Sequence, residues 1–183
     1  TLTLEPGVII KFDTTSSLKV NGALDAQGTN AEPIVFTSLH DDDCLIAGGC
    51  GDTDATTTAP AAGDWASIWI TSSAASTTIS HAIIRYGGYI DPRGDYFANI
   101  QVENNATDIR NSVIEYAKVY GIRMEQAAGG VIASNIIRNN DATGKTHGAG
   151  VHLAASSPAI TDNQFIGNNR GLDMYSSDTH EVK

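Results

Sequence analysis

The chain has 183 residues, enough for one domain with a full core. Only 17% are charged and 41% are hydrophobic, while Gly, Ser, Thr, Asn and Ala fill much of the remainder, a β-rich composition. With 21 acidic against 11 basic residues the formal charge is -10, which argues against nucleic acid as a partner because phosphate is repelled, and no apolar run reaches the roughly 18 residues that a membrane span requires.

Short alternating segments fill the first 38 residues. Leu2 and Leu4 alternate, Glu5-Pro6-Gly7 turns, and Val8, Ile10 and Phe12 alternate again. Leu18 and Val20 follow a turn over Asp13 to Ser17, Leu24 and Ala26 follow Asn21-Gly22, and Ile34 and Phe36 follow a loop from Gly28 to Pro33. Because Thr1-Leu2-Thr3-Leu4 already lies inside a strand pattern, the chain reads as a mature product or as a segment of something longer. The missing leader says nothing about secretion.

An insertion over residues 39–62 interrupts the alternation. Cys44 and Cys50 flank Leu-Ile-Ala-Gly-Gly, and glycines that can turn the chain make the pair compatible with a disulfide, a bond that persists outside the reducing cytoplasm. That points to an extracellular or cell-surface setting. A reduced or metal-bound pair is the alternative, with only His40 at hand as a further ligand. Asp41, Asp42 and Asp43, with Asp52 and Asp54, make two acidic clusters that could hold Ca²⁺ through carboxylate oxygens. Their spacing matches neither an EF-hand nor a Gly-rich nonapeptide repeat, and a plain solvated acidic loop is the other reading. Two smaller insertions, residues 87–96 with Tyr89, Asp91, Arg93, Asp95 and Tyr96 and residues 141–148 with Lys145 and His147, are expected to emerge at different corners.

From Ile68 onward one apolar pattern returns. Asn99-Ile100-Gln101-Val102, Gly121-Ile122-Arg123-Met124, Gly150-Val151-His152-Leu153 and Gly171-Leu172-Asp173-Met174 are successive copies, and Ile68 with Ile70 is an earlier one. A second phrase follows in each repeat: Ile79 with Ile84, Ile109 with Ile114, Ile132 with Ile137, and Ile160 with Phe165. The two series stretch and contract together, so the extra residues lie in turns between constant strands, which marks a solenoid. Runs of four or five alternating residues broken by Gly, Asn and Ser do not fit a helical period. A coil of roughly 22 residues with three short strands is an all-β parallel β-helix, in which each strand pairs one coil above and below and inward residues form axial rows. Tyr86 with Tyr116, Asn140 with Asn168, and Asn135 with Asn163 fall into such rows. Asn suits a corner because its amide bridges to its neighbour and its backbone tolerates left-handed torsions.

In the stretch from Glu5 to Ser38 and in Gly63-Asp64-Trp65-Ala66-Ser67-Ile68-Trp69-Ile70, the chain resembles the opening coils of right-handed parallel β-helix proteins of bacterial and archaeal surfaces and secretions, the broad pectate-lyase-like superfamily. The resemblance covers nearly the whole chain and implies one right-handed β-helix domain over residues 1–183, with insertions at 39–62, 87–96 and 141–148. It leaves activity open, since that superfamily hosts lyases, hydrolases, adhesins and passive structural modules. Its polygalacturonase-like members would bring a paired-Asp motif, a Gly-His-Gly and an Arg-Ile-Lys in order. Here stand only Thr146-His147-Gly148 and Ile122-Arg123-Met124, in the wrong relation. His40, His81, His147, His152 and His180 form no Ser-His-Asp pattern. Asn105-Ala106-Thr107 fits a glycosylation sequon, a triplet common by chance.

Alternation also assigns the outward residues. One outward row reads Trp69, Gln101, Arg123, His152, Asp173, and the next Thr71, Glu103, Glu125, Ala154, Tyr175. Glu103 and Glu125 then stack as like charges about 4.8 Å apart, and Arg123, a cation or a proton must relieve them. In enzymes that this fold resembles, saccharide binds along an outward face, so Trp69, Gln101, Glu103, Arg123, Glu125 and His152 are the candidate ligand row, against the plainer reading of a solvated sheet face. Two neighbours in one row point the same way and do not flank a sugar as retaining chemistry requires. An exposed Trp69 needs a cover, for which the 39–62 insertion is the expected source. No segment at either end reads as a cap, so further coils of the same polypeptide or like subunits are the expected partners there. The expected role is a non-enzymatic structural or adhesive module; a polysaccharide lyase, glycoside hydrolase or sugar-binding module is the alternative.

Overall fold

The structure, a computed structural model, describes residues 1–55, 58–93, 97–141 and 148–175. Among the described residues, eighteen strands wind in six coils of three. The first coil is β1 (Leu2–Leu4), β2 (Ile9–Phe12) and β3 (Ser17–Val20), and the second β4 (Leu24–Gln27), β5 (Ile34–Ser38) and β6 (Ser67–Ile70). The third is β7 (Thr77–Ser80), β8 (Ala82–Arg85) and β9 (Ala98–Glu103); the fourth β10 (Thr107–Arg110), β11 (Val113–Glu115) and β12 (Tyr120–Glu125). β13 (Val131–Ala133), β14 (Ile136–Arg138) and β15 (Ala149–Ala154) make the fifth, and β16 (Ala159–Thr161), β17 (Gln164–Ile166) and β18 (Leu172–Tyr175) the sixth. Equivalent strands stack into three six-stranded sheets, every pairing parallel. The first sheet begins with β1, the second with β2 and the third with β3.

The register is the one the two apolar series require. Ile79, Ile109, Ile132 and Ile160 are neighbours in the first sheet, and Ile68, Ile100, Ile122, Val151 and Leu172 in the third. Their side chains, with Phe36, Ile84, Ile114 and Ile137 of the second sheet, fill one continuous apolar core. Leu24, Ile34, Phe36 and most of these isoleucines are fully buried. At about 1.5–3 kcal/mol for each such side chain removed from water, these rows are the main favourable contribution to the fold.

Left-handed residues turn the corners. Between the first and second sheets they are His81, Asn111, Ser134 and Asp162; between the second and third, Tyr86, Tyr116, Asn139 and Gly167. The ladder asparagines stand one position later, so their role is not the left-handed torsion expected of them. They face inward and bond backbone. The Asn140 Oδ1 accepts from the Ala117 N–H at 3.0 Å, while its Nδ2 donates to the Ile114 carbonyl at 3.2 Å and to Asn168 Oδ1 at 2.9 Å. Asn135 and Asn163 repeat the arrangement at the preceding corner. A Cβ at Gly121 would lie 2.6 Å from the Gly150 carbonyl oxygen and 2.9 Å from Asn140 Nδ2, which is why a small residue opens that strand. Where the corner offers Gly87 instead of asparagine, Asn99 enters from β9. It accepts from the Gly87 N–H at 2.7 Å and donates to the Glu115 carbonyl at 2.8 Å.

All three insertions leave at one corner, not at different ones. Residues 39–62 lie between β5 and β6, 87–96 between β8 and β9, and 141–148 between β14 and β15, each time between the second and third sheets. Their roots are knitted along the axis: the Gly63 N–H donates to the Tyr86 carbonyl, that of Gly88 to Ala66 and that of Lys118 to Gly87. Asp95, Tyr96, Lys145, Thr146, His147 and His180 lie outside the described residues.

Candidate functional site

The outward row of the third sheet forms as alternation predicts. Lys19, Trp69, Gln101, Arg123, His152 and Asp173 are successive neighbours, and Glu103, Glu125, Ala154 and Tyr175 form the row beside them. Thr71 departs from its row. It is buried at the turn, where its hydroxyl donates to the Val20 carbonyl at 3.1 Å. The stacked Glu103 and Glu125 carboxylates are each satisfied within their own strand: Gln101 Nε2 donates to Glu103 at 3.3 Å, and Arg123 Nη2 to Glu125. Higher up, His152 stacks on Tyr120 with ring centroids 4.7 Å apart, and its Nδ1 lies 2.9 Å from Asp173 Oδ2. Trp69 is half-buried, with the Lys19 ammonium 4.2 Å from its ring centroid and the edge of Phe97 at 6.5 Å. Beside this row an open groove of 610 Å³ runs along Ser72, Glu103, Glu125, Gln126 and Tyr175.

The 39–62 segment covers the second sheet instead. Cys44 and Cys50 form the disulfide, with Cα atoms 5.7 Å apart, and buried Cys44 packs on the outward Val35 and Ile83. The Lys11 ammonium pins the segment from below, donating to the Gly51 carbonyl at 2.5 Å, to Thr53 at 3.1 Å and to Asp42 at 3.4 Å. Starting at the cover, a charged row runs up the second sheet that the outward assignment had not included. Arg85, Glu115 and Arg138 are register neighbours, and the fully buried Glu115 carboxylate sits 3.1 Å from Arg85 Nε and 2.6 Å from Arg138 Nε. Asp41 adds its carboxylate at 3.7 Å from Arg85 and accepts from the Thr37 hydroxyl. Tyr86 and Tyr116 stack at 5.3 Å, with the Arg85 guanidinium 4.6 Å from the Tyr86 ring centroid. Burial raises the Tyr86 phenol above its ordinary 10.0, opposed by Arg85 and reinforced by the Asp41 and Glu115 charges. One sequence signal marked this row: Arg85, Glu115 and Arg138 each follow the second-phrase isoleucine directly, and they alternate in sign.

Of the five candidate calcium residues, Asp41, Asp42 and Asp43 border one cleft, while Asp52 and Asp54 are not among its lining residues. Asp41 is buried against Arg85 and Thr37, and Asp42 faces Lys11. Asp43 is exposed, Asp52 accepts from the Ala55 N–H at 2.7 Å, and Asp54 pairs with His40. Among the described residues no group of three His, Cys, Asp or Glu side chains is placed to hold a metal ion. A cleft of 350 Å³ does open beside His40, Asp42, Pro60 and Tyr86. At the sequon, Asn105 Nδ2 is engaged with the Ala74 carbonyl at 2.7 Å and Thr107 is fully buried.

A family described as the right-handed β-helix region matches residues 43–183, well over half of the chain. The chain belongs to the right-handed β-helix family. The six stacked coils, the parallel sheets and the single axial core are the expected form of that family in this chain. No curated protein and no solved structure matches the chain significantly.

Proposed function

We propose that this β-helix is a non-enzymatic extracellular structural or adhesive module whose end coils dock against further coils, of the same polypeptide in a larger surface protein or of like subunits in a fibre. One observation carries the reading. Among the described residues, the exposed large apolar side chains are Leu2 and Ile9 in the first coil and Phe165, Ile166, Met174 and Tyr175 in the sixth, with only Leu45 between them. The flanks of the solenoid are polar or covered, whereas its two ends carry apolar surface beside strand edges that have a neighbour on one side only among the described residues. The disulfide supports an oxidising setting. Light scattering over a range of concentrations tests the reading: mass rising with concentration supports docking between like subunits, and a constant monomer mass overturns that arm and leaves docking against further coils of the same polypeptide.

A second reading, a polysaccharide-binding or polysaccharide-processing face, is favoured by the half-buried Trp69, the Tyr120–His152 stack and the groove beside Glu103 and Glu125. Binding to a glycan panel that disappears in Trp69→Ala, Arg123→Ala and Glu125→Gln while folding is kept would favour it. A panel without any binding would remove it.

A further inference from the structure

We infer that the cleft between the disulfide-bearing segment and the second sheet binds a vicinal amino alcohol, with the ammonium group at the rim and the neighbouring oxygen at the floor. This site is independent of the end coils.

The walls are fixed before any ligand arrives. The cleft, of 350 Å³, is lined by His40, Asp42 and Asp43 on the outgoing limb of the segment, Pro60 on the returning limb, and Arg85 and Tyr86 of the third coil. The Cys44–Cys50 disulfide and the Lys11 ammonium hold the outgoing limb. On the returning limb the Asp64 carboxylate accepts from the Ser38 hydroxyl at 2.7 Å and from the Ala61 N–H at 2.9 Å, and the Gly63 N–H donates to the Tyr86 carbonyl. Walls that need no reordering lower the cost of binding.

The floor offers donors. The Arg85 side chain is only 5% exposed, and among the described residues its Nη1 has no hydrogen-bond partner. Its Nη2 donates to the Tyr86 hydroxyl at 2.7 Å, so the phenol accepts there and its own proton is left for another acceptor. Burial keeps that proton in place. A buried N–H without an acceptor is costly, and a ligand oxygen at the floor supplies one. That oxygen is a neutral one. The Arg85 charge is already met by Glu115 at 3.1 Å and Asp41 at 3.7 Å, so a carboxylate or phosphate finds the cation taken and meets Asp42 and Asp43 besides.

The rim offers acceptors. Asp43 is exposed, and no salt bridge among the described residues engages it. Asp42 has one oxygen 3.4 Å from Lys11, which leaves its other oxygen open. His40 turns Nδ1 to Asp54, so its neutral ring carries the lone pair on Nε2. Several acceptors with surplus negative charge suit a primary ammonium, which has three donors and one positive charge. The cleft is at the small end of ligand sites, which puts the ammonium and the oxygen on neighbouring carbons. A hexosamine and a simple amino alcohol share that chemistry.

Titration of the full chain, followed through its assigned amide NMR signals, tests the site and separates the two sources. D-glucosamine is expected to shift His40, Asp43 and Tyr86 saturably. N-acetyl-D-glucosamine, which lacks the charge, and D-glucuronate, which reverses it, are expected to leave them in place. Asp43→Asn and Tyr86→Phe should each weaken glucosamine binding roughly threefold to tenfold with the spectrum of the remaining coils unchanged. Saturation by 2-aminoethanol as strong as by glucosamine would support the site with a free amine as sufficient ligand, and saturation by glucosamine alone would support it with the sugar ring required. Equal shifts with N-acetyl-D-glucosamine would overturn the ammonium assignment. Shifts confined to Trp69, Gln101 and His152 would place the sugar on the third sheet and overturn the cleft as its site. No saturable shift with either amine would overturn the inference outright.

Discussion

Two outward faces of the same solenoid treat charge in opposite ways. On the second sheet, beside the disulfide-bearing cover, Arg85, Glu115 and Arg138 pair across strands, and the carboxylate between the two guanidinium groups is fully buried. On the third sheet, Glu103 and Glu125 stack as like charges, yet each is satisfied along its own strand by the residue two positions before it. Both faces have the same ladder geometry. What differs is water at the carboxylate: the fully buried Glu115 needs a cation on each side, because an uncompensated buried charge is costly, whereas solvent reaches the part-exposed Glu103 and Glu125 and screens their repulsion. The covered row is thus bound to the fold, and the open row is free to vary toward recognition.

The comparison can be broken most severely at Glu115. Glu115→Gln leaves two guanidinium groups over a buried amide and should cost about 3–5 kcal/mol in urea unfolding, with the loss shared by the coils on either side. Removing the cover should do less. Cys44→Ser with Cys50→Ser is expected to lower stability by about 2 kcal/mol and to raise amide exchange across residues 39–55 while β8, β11 and β14 stay protected. Tyr86 gives the pH signature of the covered face. Burial keeps its phenol protonated in the folded chain above its ordinary 10.0, so beyond that pH the folded state holds more protons than the unfolded state. Stability therefore falls as pH rises from the ordinary value through the folded one, and Tyr86→Phe should remove that part of the alkaline loss. The smallest effects belong to the open face, where Glu103→Gln and Glu125→Gln should each shift stability by only about 0.5 kcal/mol. An open-face substitution as costly as Glu115→Gln would erase the distinction.

The apolar rows were legible in the sequence because a parallel β-helix repeats its inward positions at constant strand length, and the paired spacings of Ile79 with Ile68 and of Ile109 with Ile100 survive any insertion in a turn. The asparagine ladders were legible for the same reason, although their torsional role was misassigned. The torsion belongs to the residue before, as at Asn139, while Asn140 supplies the inward amide. The path of the 39–62 segment was not legible. Nothing local says which sheet a long loop lies on; that is decided by Lys11, Val35 and Ile83, which are distant in sequence and become one surface only after coiling. The contacts of Trp69 with Lys19 and Phe97 were not legible on the same account, because both reach it from neighbouring coils. The five aspartates of the cover looked like a cation site by proximity in sequence, and folding pairs Asp41, Asp42 and Asp54 with Arg85, Lys11 and His40.

The central claim, that the end coils are where this module makes its connections, is met most directly by electron microscopy of the purified native protein. The six described coils span about 29 Å along the axis. The account predicts filaments built from units of that length, or rods that further coils of the same polypeptide make longer. Monodisperse particles no longer than these six coils at every concentration would contradict it.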